Sequence, residues 1–267
     1  CKIHNIILQY YIMNNLSKLH VLILAGGLGK RMKSTLPKVL HKLLGKPMLV
    51  RVIETALSLS PEKIFLVVGK YEQIIRETLE QYISLQNIIF VNQTEAQGTG
   101  HAVQCALPEL LKLPKDDNVL ILSGDVPLLK ESTMMSMFSS NHLVNLLTTI
   151  YDNPHGYGRI IINKEGQFLK ITEEKDCNDE ERKVQIINAG VYSFEIDMLC
   201  KYLPKITNNN AQQEYYLTDI FELILKDGSN SIGLVQLPKE RSLELVGINT
   251  KEQLEELENK LNKCDSL

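Results

Sequence analysis

At 267 residues, with 44% hydrophobic and 23% charged side chains, the chain has the length of one large α/β domain and enough apolar content to exclude a disordered protein. A formal net charge of −3 excludes the strongly basic face of a dedicated nucleic-acid binder. Five scattered cysteines without a CxxC pair exclude a disulfide framework and a zinc site, and they suit a reducing, cytoplasmic compartment.

The N-terminal run "NIILQYYIM" is apolar but interrupted by Gln9, too short to span a bilayer and without a small-residue cleavage site. Residues 1–12, upstream of Met13, read as an extension with no part in the fold. The expected organisation is an extension over 1–18, a single domain over 19–250 and a C-terminal helix over 251–267. No segment reads as membrane-spanning.

Strands are expected at "VLILAG" (21–26), "IFLVVG" (64–69), "IIFV" (88–91) and "VLILSG" (119–124), each a short apolar run. Between them, "PMLVRVIETALSLS" and "YEQIIRETLEQY" carry apolar residues at helical spacing. Strand–helix alternation implies right-handed crossovers and a mainly parallel sheet covered on both faces. After Leu143 the rhythm changes. "LVNLLTTI", "GRIIIN", "QFLKITEE" and "VQIINAGVYSF" read as strands of an antiparallel or mixed extension of that sheet. A helix at "EYYLTDIFELILKDG" stops at Gly228, two further strands are expected at "SIGLVQL" and "LELVGI", and a last helix with a Leu254–Leu257–Leu261 stripe begins at Thr250.

Three loops stand at strand ends. The first, "VLILAGGLGKRM", is neither a P-loop, because Arg31 follows Gly29-Lys30, nor a dinucleotide fingerprint, because Met32 stands where a third glycine belongs. It is either a glycine turn beside solvated cations or a loop whose bare backbone approaches phosphate, with Arg31 and Lys38 adding charge. In the second, "NQTEAQGTGHAV", Gly98 and Gly100 flank Thr99 before a helical pattern, and the amide of Gln93 can donate and accept together, as an imide edge such as that of uracil requires. An ordinary strand-to-helix loop has the same spacing. The third, "VLILSGDVPLL", sets Asp125 just past an apolar strand, where it either caps a helix or holds Mg²⁺ in the crevice outside the strand ends. Asn188 and Asn249 each follow an apolar strand, and His41, His101, His142 and His155 form no metal-ligand spacing.

Taken in order, "LILAGGLGKRM", "LPKVLHKLLGKPM", "QGTGHAV", "GDVPL", "GYGRI", "EEKD", "NNNAQQEYYLTDI" and "VGIN" resemble the motifs of the sugar-nucleotidyltransferases, most closely the uridylyltransferase branch that acts on N-acetylglucosamine 1-phosphate. The likeness runs from about His20 to about Gln253. It implies a Rossmann-like nucleotidyltransferase fold of α/β class, with a mixed, mainly parallel sheet flanked by helices. It implies UTP and a sugar 1-phosphate as substrates, Mg²⁺ as cofactor and pyrophosphate as product. Position by position, Leu24, Ala25, Gly26 and Gly27 would cradle the nucleotide, Arg31 and Lys38 would hold the triphosphate, and Gln93, Gly98 and Thr99 would read uracil. Ser123 and Gly124 would line the site, Asp125 and Asn249 would bind Mg²⁺, and Gly158, Glu173 and Asn188 would bind the sugar.

Three positions depart from the branch's pattern: Ser123 where it has Tyr, Ala189 where it has Thr, and Glu174 where it often has His. All three fall on the expected sugar side. The hexapeptide repeats of the branch's acetyltransferase half do not follow the final helix, so a uridylyltransferase unit alone is expected, and no oligomeric state carries over. Two other functions remain compatible with these motifs: uridylyl or thymidylyl transfer to another sugar 1-phosphate, and a catalytically silent UDP-sugar sensor.

Overall fold

The computed structural model describes residues 18–27, 29–229 and 231–264. The N-terminal extension expected over residues 1–12 lies outside them. Alternating side chains divide each central strand between two cores, and that division builds the architecture. In β1 (Leu19–Leu24), Val21 and Ile23 face one side and Leu22 the other; in β4 (Lys63–Val68), Ile64, Leu66 and Val68 oppose Phe65 and Val67. The first core takes the helix Met48–Ser58, and the second takes the helices Thr99–Leu110, Ile196–Tyr202 and Asp219–Lys226. A sheet buried on both faces needs continuous apolar strands, which is what the sequence supplies.

In spatial order, β11 (Ile232–Gln236), β7 (Val144–Ile150), β10 (Ile186–Glu195), β6 (Asn118–Ser123), β1, β4 and β5 (Ile88–Asn92) form the main path of a nine-stranded sheet. The β5–β4–β1–β6 half is parallel, whereas β10 runs antiparallel to both β6 and β7. A hairpin, β8 (Arg159–Ile162) with β9 (Phe168–Thr172), hangs from β10 at the Ile187–Arg159 pair. The mixed extension expected after Leu143 is therefore present. Two short strands, β2 (Lys42–Leu43) and β3 (Lys46–Pro47), pair by themselves.

One expected strand is absent. "LELVGI" is 3₁₀ helix over Lys239–Leu245 followed by an extended segment that pairs with no strand. Its apolar residues are satisfied without a ladder. Leu245 joins the first core, and Ile248 joins a third cluster with Leu43, Met48, Leu254 and Leu257. The leucine stripe of the last helix, Lys251–Cys264, is thus a packed face within the same chain. Among the described residues no helix is long and apolar enough to cross a membrane.

Candidate functional site

β1, β4, β5 and β6 are parallel, so the loops after Leu24, Val68, Asn92 and Ser123 emerge at one edge of the sheet. A crevice at that edge is the expected ligand position in such sheets. A cavity of about 280 Å³ opens there, lined among others by Leu24, Ala25, Gly26, Gly27, Lys38, Gln93, Gly98, Thr99, Ser123 and Asp125. A second, of about 220 Å³, shares Leu24, Thr99, Ser123 and Asp125 with the first and is closed by Gly158, Glu173 and Asn188. The wall common to both cavities contains Asp125. A wider cleft of about 1040 Å³ carries Arg31, Lys38 and Asn249 on its rim.

Asp125 caps no helix, because the next one begins at Glu131. The Lys38 ammonium donates to Asp125 Oδ2 and, at 3.0 Å, to Asn249 Oδ1, which also accepts from Arg31 Nη2 at 2.9 Å. Two oxygen ligands from distant parts of the chain therefore point at one cation. Backbone bonds bring them together. The Ile248 N–H donates to Asp125 O at 3.0 Å, and Gln253 Oε1 accepts from the N–H groups of Asn249 and Thr250 while the Gln253 N–H donates to Thr250 Oγ1. "TKEQ" is thus a capping box that starts the last helix and fixes Asn249 at the same time. Gly29 lies in the left-handed region at φ 58°, and a Cβ there would stand 2.7 Å from Lys38 Cβ. This glycine exists so that Lys38 can lie against the loop.

The other glycines separate into two kinds. Gly27 has nothing within 4 Å of a built Cβ, and the N–H groups of Gly26 and Gly27 find no acceptor among the described residues, so this backbone faces the cavity bare. Gly98, at φ 110°, would press a Cβ to 2.5 Å from Tyr215 O, and Gly100 donates its N–H to that same oxygen at 2.7 Å. These two make room for the 210–216 loop, although Gly98 also reaches the cavity wall. Gly124 sits behind the wall: its N–H donates to Leu24 O, and a Cβ would meet Leu49 and Val39. Its missing side chain serves packing between β6 and the helix Met48–Ser58.

On the other side, Asn188 precedes an irregularity in β10 at Gly190 (φ 70°), which turns the strand so that Asn188 Nδ2 donates to Tyr192 Oη at 2.7 Å and Asn188 Oδ1 accepts from the Gly190 N–H. Glu173 Oε1 accepts from Thr218 Oγ1 at 2.9 Å. Burial raises the Glu173 carboxyl above the ordinary glutamate value; the Thr218 hydrogen bond opposes this, while the charges of Asp219, Asp176 and Glu214 add to it. Tyr192 and Thr218 went unnoticed in the sequence. A glycine inside a strand was the available signal for the first, and nothing local marked the second. The departure at Glu174 has a partner: buried Arg159 donates to Glu174 Oε2 at 2.8 Å and to Tyr157 O, while the same carboxylate accepts from the Gly156 N–H at 3.1 Å. That knot holds the loop of Gly156 to Gly158 against Glu173.

Burial, with the charges of Glu222 and Asp176, pushes Asp219 up to about 6 from its ordinary 3.8. The folded protein then binds this proton more tightly than the unfolded chain, so ionising Asp219 costs stability as pH rises between about 4 and 6. Thermal melts of D219N should show a midpoint above wild type at pH 7, with the difference closing towards pH 4. A pH-independent difference would exclude the titration of Asp219 as its source.

Among the described residues, His20, Glu62 and Asp117 bring three metal-ligand atoms within 4.8 Å of one another. They lie at the opposite sheet edge, about 13 Å of strand from Leu24 at 3.3 Å per residue. His20 Nε2 lies 2.9 Å from Asp117 Oδ2, and the buried Nδ1 has no partner among the described residues. A metal on Nε2 would force the proton onto that orphaned Nδ1, so the group fits a structural hydrogen bond better than an ion site.

A family model described as the MobA-like NTP transferase domain matches residues 21–161. A protein of Acanthamoeba polyphaga mimivirus named "Probable UDP-N-acetylglucosamine pyrophosphorylase" is 43% identical over 91% of this chain and 96% of its own length. Proteins named "Bifunctional protein GlmU" from Clostridium botulinum and Marinobacter nauticus are each 44% identical over 89% and 91% of this chain. The chain spans about half the length of those two bifunctional relatives, 50% and 52%. A crystal structure from Bacillus anthracis named for glucose-1-phosphate thymidylyl transfer overlays with a TM-score of 0.67 across 91% of this chain and 94% of that one, at 17% identity, which is a likeness of fold alone.

Proposed function

The chain belongs to the MobA-like NTP transferase domain family of nucleotidyltransferases, and from that premise we propose that it transfers UMP from UTP to N-acetylglucosamine 1-phosphate, giving UDP-N-acetylglucosamine and pyrophosphate. The observation that carries this reading is the hydrogen-bonded convergence of Asp125, Asn249, Lys38 and Arg31, with Asp125 on the wall shared by the two smaller cavities and the other three lining the wider cleft. The name of the mimivirus relative supports UDP-N-acetylglucosamine as the product.

The donor set fits the cofactor. One carboxylate and one amide oxygen, already directed at a single cation, are the hard ligands that Mg²⁺ takes alongside water and substrate phosphates. Held by Asp125 and Asn249, Mg²⁺ would supply countercharge to the phosphates. Lys38 and Arg31 then bind phosphate oxygens, and the bare N–H groups of Gly26 and Gly27 complete the cradle. The sugar side is bounded by Glu173 and Asn188, whose oxygens and amide suit hydroxyl and acetamido groups. No general base is required, because a phosphomonoester has its second pKa near ~6 and its oxygen is already a nucleophile at neutral pH. What the residues contribute is alignment of that oxygen with the α-phosphorus of UTP and neutralisation of two polyanions. Such orientation is worth roughly 7–11 kcal/mol of barrier in favourable cases.

The test is pyrophosphate release from UTP with a panel of sugar 1-phosphates. N-acetylglucosamine 1-phosphate is expected to give the highest kcat/KM. A higher value with glucose 1-phosphate would move the function to another sugar, and UDP-sugar binding without release from any of them would make the protein a sensor. Lys38→Ala should lower kcat/KM for UTP by about 10–100-fold, the worth of one or two hydrogen bonds to a charged group. Unchanged kinetics would leave Lys38 outside the site.

A further inference from the structure

Asn249 lies in the extended segment that pairs with no strand, and two cations hold its side-chain oxygen, Lys38 at 3.0 Å and Arg31 at 2.9 Å. On the nucleotidyl-transfer reading both cations turn to phosphate once substrate is bound, so neither keeps Asn249 in place during the reaction. Backbone anchors have to do so. The bond from Ile248 N–H to Asp125 O fixes the peptide before Ile248, but the φ and ψ of Ile248 still separate it from the next one. Gln253 holds that next peptide: its Oε1 accepts from Asn249 N–H at 2.7 Å and from Thr250 N–H at 3.2 Å.

Gln253 stands on a firm base. Its own N–H donates to Thr250 Oγ1 at 3.2 Å, and its helix, Lys251–Cys264, packs Leu254 and Leu257 against Leu43, Met48 and Ile248. Glu258 on the same helix accepts from Leu44 N–H at 2.7 Å. The helix is thereby tied to residues 43–48, outside the 246–249 segment. The Gln253 side chain is exposed and lines none of the cavities of the site.

We propose that Gln253 is a positioning residue of the metal site: by accepting from Asn249 N–H it keeps Asn249 Oδ1 beside Asp125 after Lys38 and Arg31 have moved to phosphate. Gln253 touches neither metal nor substrate and acts through Asn249. Outer partners that orient a metal ligand are worth about 10–100-fold in affinity. The inference rests on the nucleotidyl-transfer reading and extends it to the last helix, which becomes part of the site.

The experiment measures UDP binding by calorimetry with and without Mg²⁺, beside thermal melts and pyrophosphate release, in wild type, D125N, Q253L, Q253E and T250A. Wild type should bind UDP more tightly with Mg²⁺, and D125N should abolish that gain. Q253L should lose most of it, on the scale of about tenfold, while binding metal-free UDP as wild type does. Q253E, whose carboxylate accepts the same two N–H groups, should keep the gain. T250A removes the other half of the capping box, so it should melt lower and keep the gain as well. A full gain in Q253L, or an equal loss in T250A, overturns the role of Gln253, as does a wild type whose UDP binding ignores Mg²⁺. A wild type with the gain but without pyrophosphate release sinks the transfer reading and leaves this one standing.

Discussion

Asp125→Asn should lower turnover by at least about 10²-fold, the scale on which loss of one preorganised charge-stabilising group acts, while leaving the protein folded. The fold should survive because the link between this loop and the 246–249 segment is the backbone bond from Ile248 N–H to Asp125 O, which the substitution does not touch. The side chain is 19% exposed, and its partner Lys38 keeps the Asn249 oxygen as an acceptor. What disappears is the only full negative charge of the pair proposed to hold Mg²⁺. Pyrophosphate release at saturating Mg²⁺, together with a thermal melt, measures both effects. Wild-type rates would remove Asp125 from the metal site; a collapsed melting midpoint would make it a structural residue.

Gly98→Ala should instead act on the fold. Its backbone lies at φ 110°, a conformation that L side chains rarely adopt, and the new Cβ would meet Tyr215 O at 2.5 Å and Tyr215 N at 2.9 Å. Strain and overpacking each cost about 1–3 kcal/mol, so the midpoint should fall on the order of 10 °C. Gly27→Ala is the contrasting case. With open space around its Cβ it should melt as wild type does and raise KM for UTP, because the added methyl stands where the nucleotide is proposed to lie. Equal melting points for the two variants would refute the assignment of Gly98 to packing and Gly27 to the ligand.

Much of the fold was legible in the sequence because a short, uninterrupted apolar run bounded by polar or glycine residues is a local signal of a strand buried on both faces. The runs at 21–26, 64–69, 88–91 and 119–124 all carry it, and the structure divides their residues between the two cores. The three loops were legible as well, since glycines and charges at strand ends stand out against apolar runs. "LELVGI" misled for the complementary reason: its apolar residues are buried, but by packing against the first core and the C-terminal helix, and six residues do not reveal whether burial comes from a ladder or from a loop lying on a core.

Which residues carry charge and which strands are buried on both faces can be read from the chain alone, because composition and apolar runs act within a few residues. Only the tertiary structure brings Lys38 to Asn249, sets Gly98 against Tyr215 while Gly27 faces a cavity, and turns the Gln93 amide nitrogen to Gly98 O. Each of these depends on a partner brought close by the fold, and a hydrogen bond or a steric contact exists only once both of its atoms are in place.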